Sequence, residues 1–155
     1  MRTVFWAAFW TFVIDQVTKY AVVQGLDLAS VGQIDVLPPV LTFRMAWNTG
    51  INFGLFSDGS DASRWILIGI ALVVSAAVLV WIQYEKPRRI GLIAAGLLVG
   101  GALGNVIDRL IYGAVADFLN MSCCGIDNPY AFNVADIAIF VGAAGLILLP
   151  AEKGA

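Results

Sequence analysis

The chain reads as an all-α membrane protein: four transmembrane helices, with a small extracytoplasmic sheet-and-loop region between the first two. Three observations predict this class. Of the 155 residues, 60% are hydrophobic and only 13% charged, whereas a soluble domain carries about 25% charged residues. Four long apolar segments alternate with short polar stretches. Sixteen glycines and five tryptophans suit helices packed closely in lipid, with aromatic rings at the interface. The formal net charge of −2 argues against nucleic acid as a partner. Histidine is absent, which removes Ser-His and Cys-His nucleophile schemes and histidine-based zinc sites.

The four predicted spans are 3–23, 64–82, 90–112 and 134–149. The first three meet the requirement of about 20 apolar residues, and the fourth is short. The first is too long for a cleaved leader, contains Asp15 and Lys19, and precedes no small-residue cleavage site, so a retained helix is expected. One integral-membrane domain over 1–155 follows. Arg2, the group Lys86, Arg88 and Arg89, and Lys153 place both termini and the loop between spans two and three in the cytoplasm. Residues 24–63 and 113–133 then lie outside. In the first of these, Pro38-Pro39 and the run Leu41-Thr42-Phe43-Arg44-Met45 predict short strands resting on the membrane surface. Phe43, Trp47, Phe53 and Phe56 are expected as exposed aromatics in the headgroup layer.

Polar residues inside apolar segments carry the functional signal. Asp117 lies at the outer end of the third segment and Asp136 opens the fourth. Carboxylates at a bilayer edge are costly to desolvate, so two at matching depth point to a site. Two carboxyl groups held close can share one proton, which is what an aspartic peptidase requires. Asp15 and Lys19 are spaced i,i+4, as an intrahelical ion pair is; alternatively Asp15 braces groups around the site. Asn105 and Arg109 share a helical face, and Asp108 has either Arg109 or Lys19 as its partner. Gly96, Gly100 and Gly104, four apart, lay a small-residue strip along the third span. Asn48-Thr49-Gly50 reads either as a turn or as a loop whose amides bind substrate backbone. Asn133 can serve as the N-cap of the fourth helix, with Asp136 at its third position.

In order along the chain, Asp15-Gln16-Val17-Thr18-Lys19, Asn48-Thr49-Gly50 with Phe53-Gly54, the run from Gly100 to Arg109, Val115-Ala116-Asp117-Phe118, and Phe132-Asn133-Val134-Ala135-Asp136 resemble the motif blocks of the bacterial lipoprotein signal peptidases, or type II signal peptidases. The resemblance spans nearly the whole chain. It implies that Asp117 and Asp136 are a catalytic dyad. It implies that Asp15, Asn48, Gly50, Asn105, Arg109, Asn133 and Ala135 support the dyad or line the substrate groove. The implied enzyme is an intramembrane aspartic endopeptidase of the bacterial cytoplasmic (inner) membrane, with its active site at the outer face. It would remove the signal peptide of lipidated prolipoproteins by cutting before the diacylglyceryl-modified cysteine. It would need no metal or organic cofactor, sit among membrane lipids as a monomer, and be blocked by globomycin-type cyclic peptides. Arg109 is expected to act behind the dyad or on the substrate loop, because direct contact would hold both carboxylates ionised.

The sequence departs from the family pattern at Ile51-Asn52, where small residues are usual, and at the adjacent Cys123 and Cys124, read as an incidental loop feature. A competing class is a small four-helix proton-coupled transporter using Asp15. A structural subunit without chemistry would leave the polar blocks without a common reason.

Overall fold

The computed structural model describes residues 1–50, 61–123, 125 and 128–148. The chain is mostly helical, with one three-stranded antiparallel sheet. In order come α1 (Arg2–Lys19), a π-helical turn (Tyr20–Gly25), the short α2 (Leu28–Val31), β1 (Gln33–Leu37), β2 (Leu41–Asn48), α3 (Asp61–Glu85), α4 (Arg89–Tyr112), β3 (Val115–Met121) and α5 (Val134–Leu148).

Helix α4 is the centre of the bundle, packing most extensively against α5 and α1 and less against α3. The glycine strip is the reason. A Cβ on Gly96 would lie 2.5 Å from the Ala7 Cβ, and one on Gly100 would collide with the Ala8 carbonyl oxygen. On the adjoining face, a Cβ on Gly101 would lie 2.5 Å from the Ala135 carbonyl oxygen of α5. Backbone therefore meets backbone on two sides of α4, as small residues permit in lipid, where dispersion contacts replace the hydrophobic effect.

Two helices, α3 and α4, are long and apolar enough to cross a membrane. Helix α5 is apolar but shorter, and α1 carries Arg2, Asp15 and Lys19 among its 18 residues. The expected first span is divided, since regular α-helix ends at Lys19 and the backbone widens into the π-helical turn. The second begins earlier than expected, at Asp61.

The expected strands between the first two long helices are present, but the sheet is not confined to that region. Strand β2 is central, pairing with β1 on one side and on the other with β3, which follows α4. Helix α4 stops at Gly113, whose φ of +78° and N–H bond to the Arg109 carbonyl turn the chain back. Asp117 is thus on a strand, opposite Ala46 of β2, rather than at the end of a helical span. Phe118 is 2% exposed and packs with Val22 and Leu28. Because strand side chains alternate, anchoring Phe118 there sends Asp117 to the other face. Phe43, expected as an exposed aromatic, packs edge-on against Phe118 at 5.9 Å instead. Trp47 is 46% exposed and lies beside Tyr112. Phe53 and Phe56 lie outside the described residues.

Candidate active site

Five of the nine residues singled out by sequence form one hydrogen-bonded constellation at the junction of β2, β3, α4 and α5. The Asn133 Nδ2 donates to Asp117 Oδ1 at 2.6 Å, and the Asn48 Nδ2 to Asp117 Oδ2 at 3.0 Å. The Asn105 Nδ2 donates to Asp136 Oδ1 at 2.8 Å. Asn133 links the two acids, since its Oδ1 accepts the Asp136 N–H at 2.9 Å while its Nδ2 serves Asp117. The Asn133 N–H in turn approaches Asp136 Oδ2 at 3.4 Å. This is the reciprocal cap expected at the start of α5, and it places Asp136 beside the residue that holds Asp117. The cap and the constellation around Asp117 share Asn133.

Asp117 is 2% exposed, and Asp136 is partly exposed. Among the described residues neither carboxylate forms an ion pair. Burial first, and then the neighbouring charge of Asp136, push the Asp117 carboxyl up from its ordinary value to about 7. Amide donation from Asn48 and Asn133, and the more distant charge of Lys19, oppose the rise.

The other four predicted residues join from behind. The Arg109 Nη2 donates to the Gly50 carbonyl at 3.0 Å, and its Nη1 approaches the Asn105 carbonyl at 3.4 Å. Arg109 therefore bonds backbone at Gly50 and Asn105, and forms no ion pair with either acid among the described residues. The Gly50 N–H donates to Asn48 Oδ1 at 3.1 Å, closing the turn that aims Asn48 at Asp117. Asp15 is fully buried, and its Oδ1 accepts the Ala135 N–H at 2.8 Å. Its Oδ2 also pairs with Lys19 at 2.8 Å, so the ion pair and the backbone contact are both present.

Three further residues of this core carry no site assignment from the sequence: Gln16, Lys19 and Asp108. Lys19 lies 2.8 Å from Asp108 as well, which settles the partner of Asp108 in favour of Lys19. Asp108 also accepts the Ala116 N–H at 3.1 Å, fixing the residue before Asp117. Gln16 donates to Asp15 and Asp108, each at 3.1 Å. The i,i+4 spacing of Asp15 and Lys19, and the polar residue between them, were the available signal. Of the other sequence expectations, Ile51, Asn52 and Cys124 lie outside the described residues.

Apolar helices joined by a three-stranded sheet, with two acids near the junction that form no ion pair among the described residues, are the architecture of a membrane protein with a candidate catalytic site. Two solved bacterial membrane enzymes, determined in meso at 2.3 Å and 1.9 Å resolution, share this fold. Their TM-scores are both 0.77, at 28% and 27% identity, covering 96% and 99% of this chain and 87% and 96% of theirs. Residues 7–150 match the family model of signal peptidase (SPase) II. The lipoprotein signal peptidase of Rhodopseudomonas palustris is 42% identical over 149 residues, covering 91% of this chain and 90% of its own. That of Pseudomonas aeruginosa PAO1 is 42% identical over 144 residues, covering 92% and 84%. The chain belongs to the signal peptidase II family.

Proposed function

We propose that this protein is an aspartic endopeptidase that removes the signal peptide of prolipoproteins by cutting before the diacylglyceryl-modified cysteine. Asp117 and Asp136 are its acid–base pair. The observation that carries this reading is that one asparagine, Asn133, donates to both carboxyl groups, through its Nδ2 to Asp117 and its backbone N–H to Asp136, and neither acid has a cationic partner among the described residues. Such a pair retains one proton near neutrality. The ionised member takes a proton from water as it attacks the scissile carbonyl. The protonated member hydrogen-bonds the carbonyl oxygen, then protonates the leaving amine.

The four helices α1, α3, α4 and α5 span the cytoplasmic membrane with both termini inside, and the sheet rests on the outer face. A lipid-modified substrate remains in the bilayer, so a site at its surface meets the bond to be cut. Asn48, Gly50 and Arg109 shape the loop over the acids. Asn105 and Asn133 orient the acids, while Asp15 and the backbone of Ala135 fix α1 against α5. Proton-coupled transport through Asp15 is disfavoured by family membership, and by the ion pair and N–H bond that occupy its two oxygens.

The deciding experiment is a gel-shift assay of a lipidated prolipoprotein in detergent with Asp117→Asn and Asp136→Asn. Both variants are expected to fold and to leave the substrate uncut. Turnover by either would remove that residue from the pair. A globomycin-type cyclic peptide is expected to block the wild-type reaction.

A further inference from the structure

We infer that Lys19 is a positioning residue: its ammonium fixes the Asn105 side chain so that the amide nitrogen, rather than the oxygen, meets Asp136. The inference rests on the acid–base reading above.

An ammonium has three donors and no acceptor. The Lys19 Nζ has three oxygen neighbours: Asp15 Oδ2 at 2.8 Å, Asp108 Oδ2 at 2.8 Å and Asn105 Oδ1 at 3.2 Å. Only the oxygen end of the Asn105 amide can face such a group. The nitrogen end is then directed to Asp136 Oδ1, 2.8 Å away. The second amide is set in the same way. The Asn133 Oδ1 accepts a backbone N–H, that of Asp136, so its nitrogen end is left for Asp117. The Asn105 Oδ1 also accepts the Asn133 Nδ2 at 3.3 Å, so the orientation of both amides traces to two donors that cannot reverse, the Asp136 peptide N–H and Lys19 acting on Asn105 together with Asn133.

The consequence is chemical. With Asn105 held this way, Asp136 Oδ1 is an acceptor, which favours its ionised form. If Asn105 turned over, its own oxygen would face Asp136, and only a protonated carboxyl could bond it. Lys19 therefore favours a pair carrying one proton over a pair carrying two. Its charge acts in the same sense, opposing the rise in the proton affinity of Asp117.

The charged and titratable groups around Lys19 come from every element packed on it. Asp15 lies on α1 and Asp108 on α4. Tyr20 and Tyr112 line the same cavity of about 100 Å³. Asp117 on β3 and Asp136 at the start of α5 lie beyond the amides. Arg109, also on α4, is directed to Gly50.

The test separates orientation from charge. Lys19→Met combined with Asp108→Asn removes one positive and one negative charge, so the cluster keeps its net charge. This double variant is expected to lose about tenfold in kcat at unchanged KM, and its pH–rate profile moves about one unit upward. Lys19→Gln with Asp108→Asn, whose amide N–H can still donate to Asn105, is expected to keep the wild-type profile. A wild-type profile in the Met variant overturns the proposal. So does an equal shift in the Gln variant, because loss of the ammonium rather than loss of the donor would then be at work. Should these variants fail to fold, Asn105→Leu removes the donor facing Asp136 without adding a charge; an upward shift supports the proposal, and an unchanged profile overturns it. Asp117→Asn assayed alongside keeps the two readings apart. Its inactivity beside a wild-type profile in the Met variant rejects the role of Lys19 alone, whereas its turnover rejects the acid–base pair.

Discussion

Two sets of aspartates share one polar core and are treated in opposite ways. Asp15 and Asp108 are 0% and 1% exposed, yet each lies 2.8 Å from the Lys19 ammonium. Each also accepts a backbone N–H, from Ala135 and Ala116 respectively. Asp117 is buried as deeply, at 2%, but its bonds come from neutral amides. Burying an ionised carboxylate costs several kcal/mol unless a counter-charge and hydrogen bonds offset it. The first set has that offset and acts as a fastener between α1, α4, β3 and α5. The second forms no ion pair among the described residues, and burial with the neighbouring Asp136 charge raises the Asp117 carboxyl to about 7. Compensation, rather than depth, is what distinguishes the two sets.

Perturbing each set in turn sharpens this contrast, and the largest effect on cleavage is expected at the set without a cation. Asp117→Asn or Asp136→Asn should reduce cleavage by about 10²- to 10⁴-fold, the usual contribution of general acid–base groups. Stability should move the other way. The Asp117 carboxyl ionises near 3.8 when exposed but near 7 in the folded chain. The folded state therefore binds more protons between those values, and stability falls as pH rises across that window. Asp117→Asn removes this slope, so the inactive variant should melt higher than wild type at pH 8 in detergent. Cleavage by wild type should decline as pH rises above about 7, when the pair loses its last proton. A rate flat to pH 9 would contradict the pairing.

The fastener should break differently. Lys19→Met alone leaves Asp15 and Asp108 buried without their cation, which costs about 3–5 kcal/mol. The expected reading is a large fall in thermal midpoint and in folded yield. Gly104→Ala probes the same cluster more gently. The added Cβ would lie 2.5 Å from Asp15 Oδ2, and overpacking of this kind costs about 1–3 kcal/mol. Gly69→Ala on α3 meets nothing within 4 Å and should leave the midpoint unchanged or raise it slightly. Equal effects at the two glycines would show that the α1–α4 contact is looser than its geometry.

The sequence made the contrast partly legible. The glycines of α4 recur at four-residue spacing, and this periodicity marks the face that meets α1 without reference to anything distant. The polar blocks likewise marked Asp117, Asp136 and their asparagines. What stayed hidden was decided by long-range partners. Strand β3 follows directly on a helix, and its Ala116, Asp117 and Asn120 are weak strand formers; it exists because β2 and Phe132 supply its hydrogen bonds. Phe43 was expected at the lipid surface, but alternation within a paired strand turns it toward Phe118. The choice of Asp108 between Lys19 and Arg109 depended on helix phase. Asp108 lies one turn beyond Gly104, on the face that meets α1, while Arg109 lies one turn beyond Asn105 and faces Gly50.

A smaller effect on cleavage is expected where a cation serves backbone rather than either set of acids. Arg109 spans from the Gly50 carbonyl at 3.0 Å to the Asn105 carbonyl at 3.4 Å, holding the loop that carries Asn48 over α4. Lysine keeps the charge but not the planar fork, so Arg109→Lys can keep only one of these bonds. A single hydrogen bond from a charged donor contributes about 1.5 kcal/mol, or about tenfold in an equilibrium. The loop then closes less firmly on substrate, so KM should rise by about tenfold or less while kcat and the pH profile stay near wild type. If kcat fell instead, with the profile displaced, Arg109 would be acting on the charge of the acids. The cation missing from beside Asp117 and Asp136 would then be only one turn of α4 away.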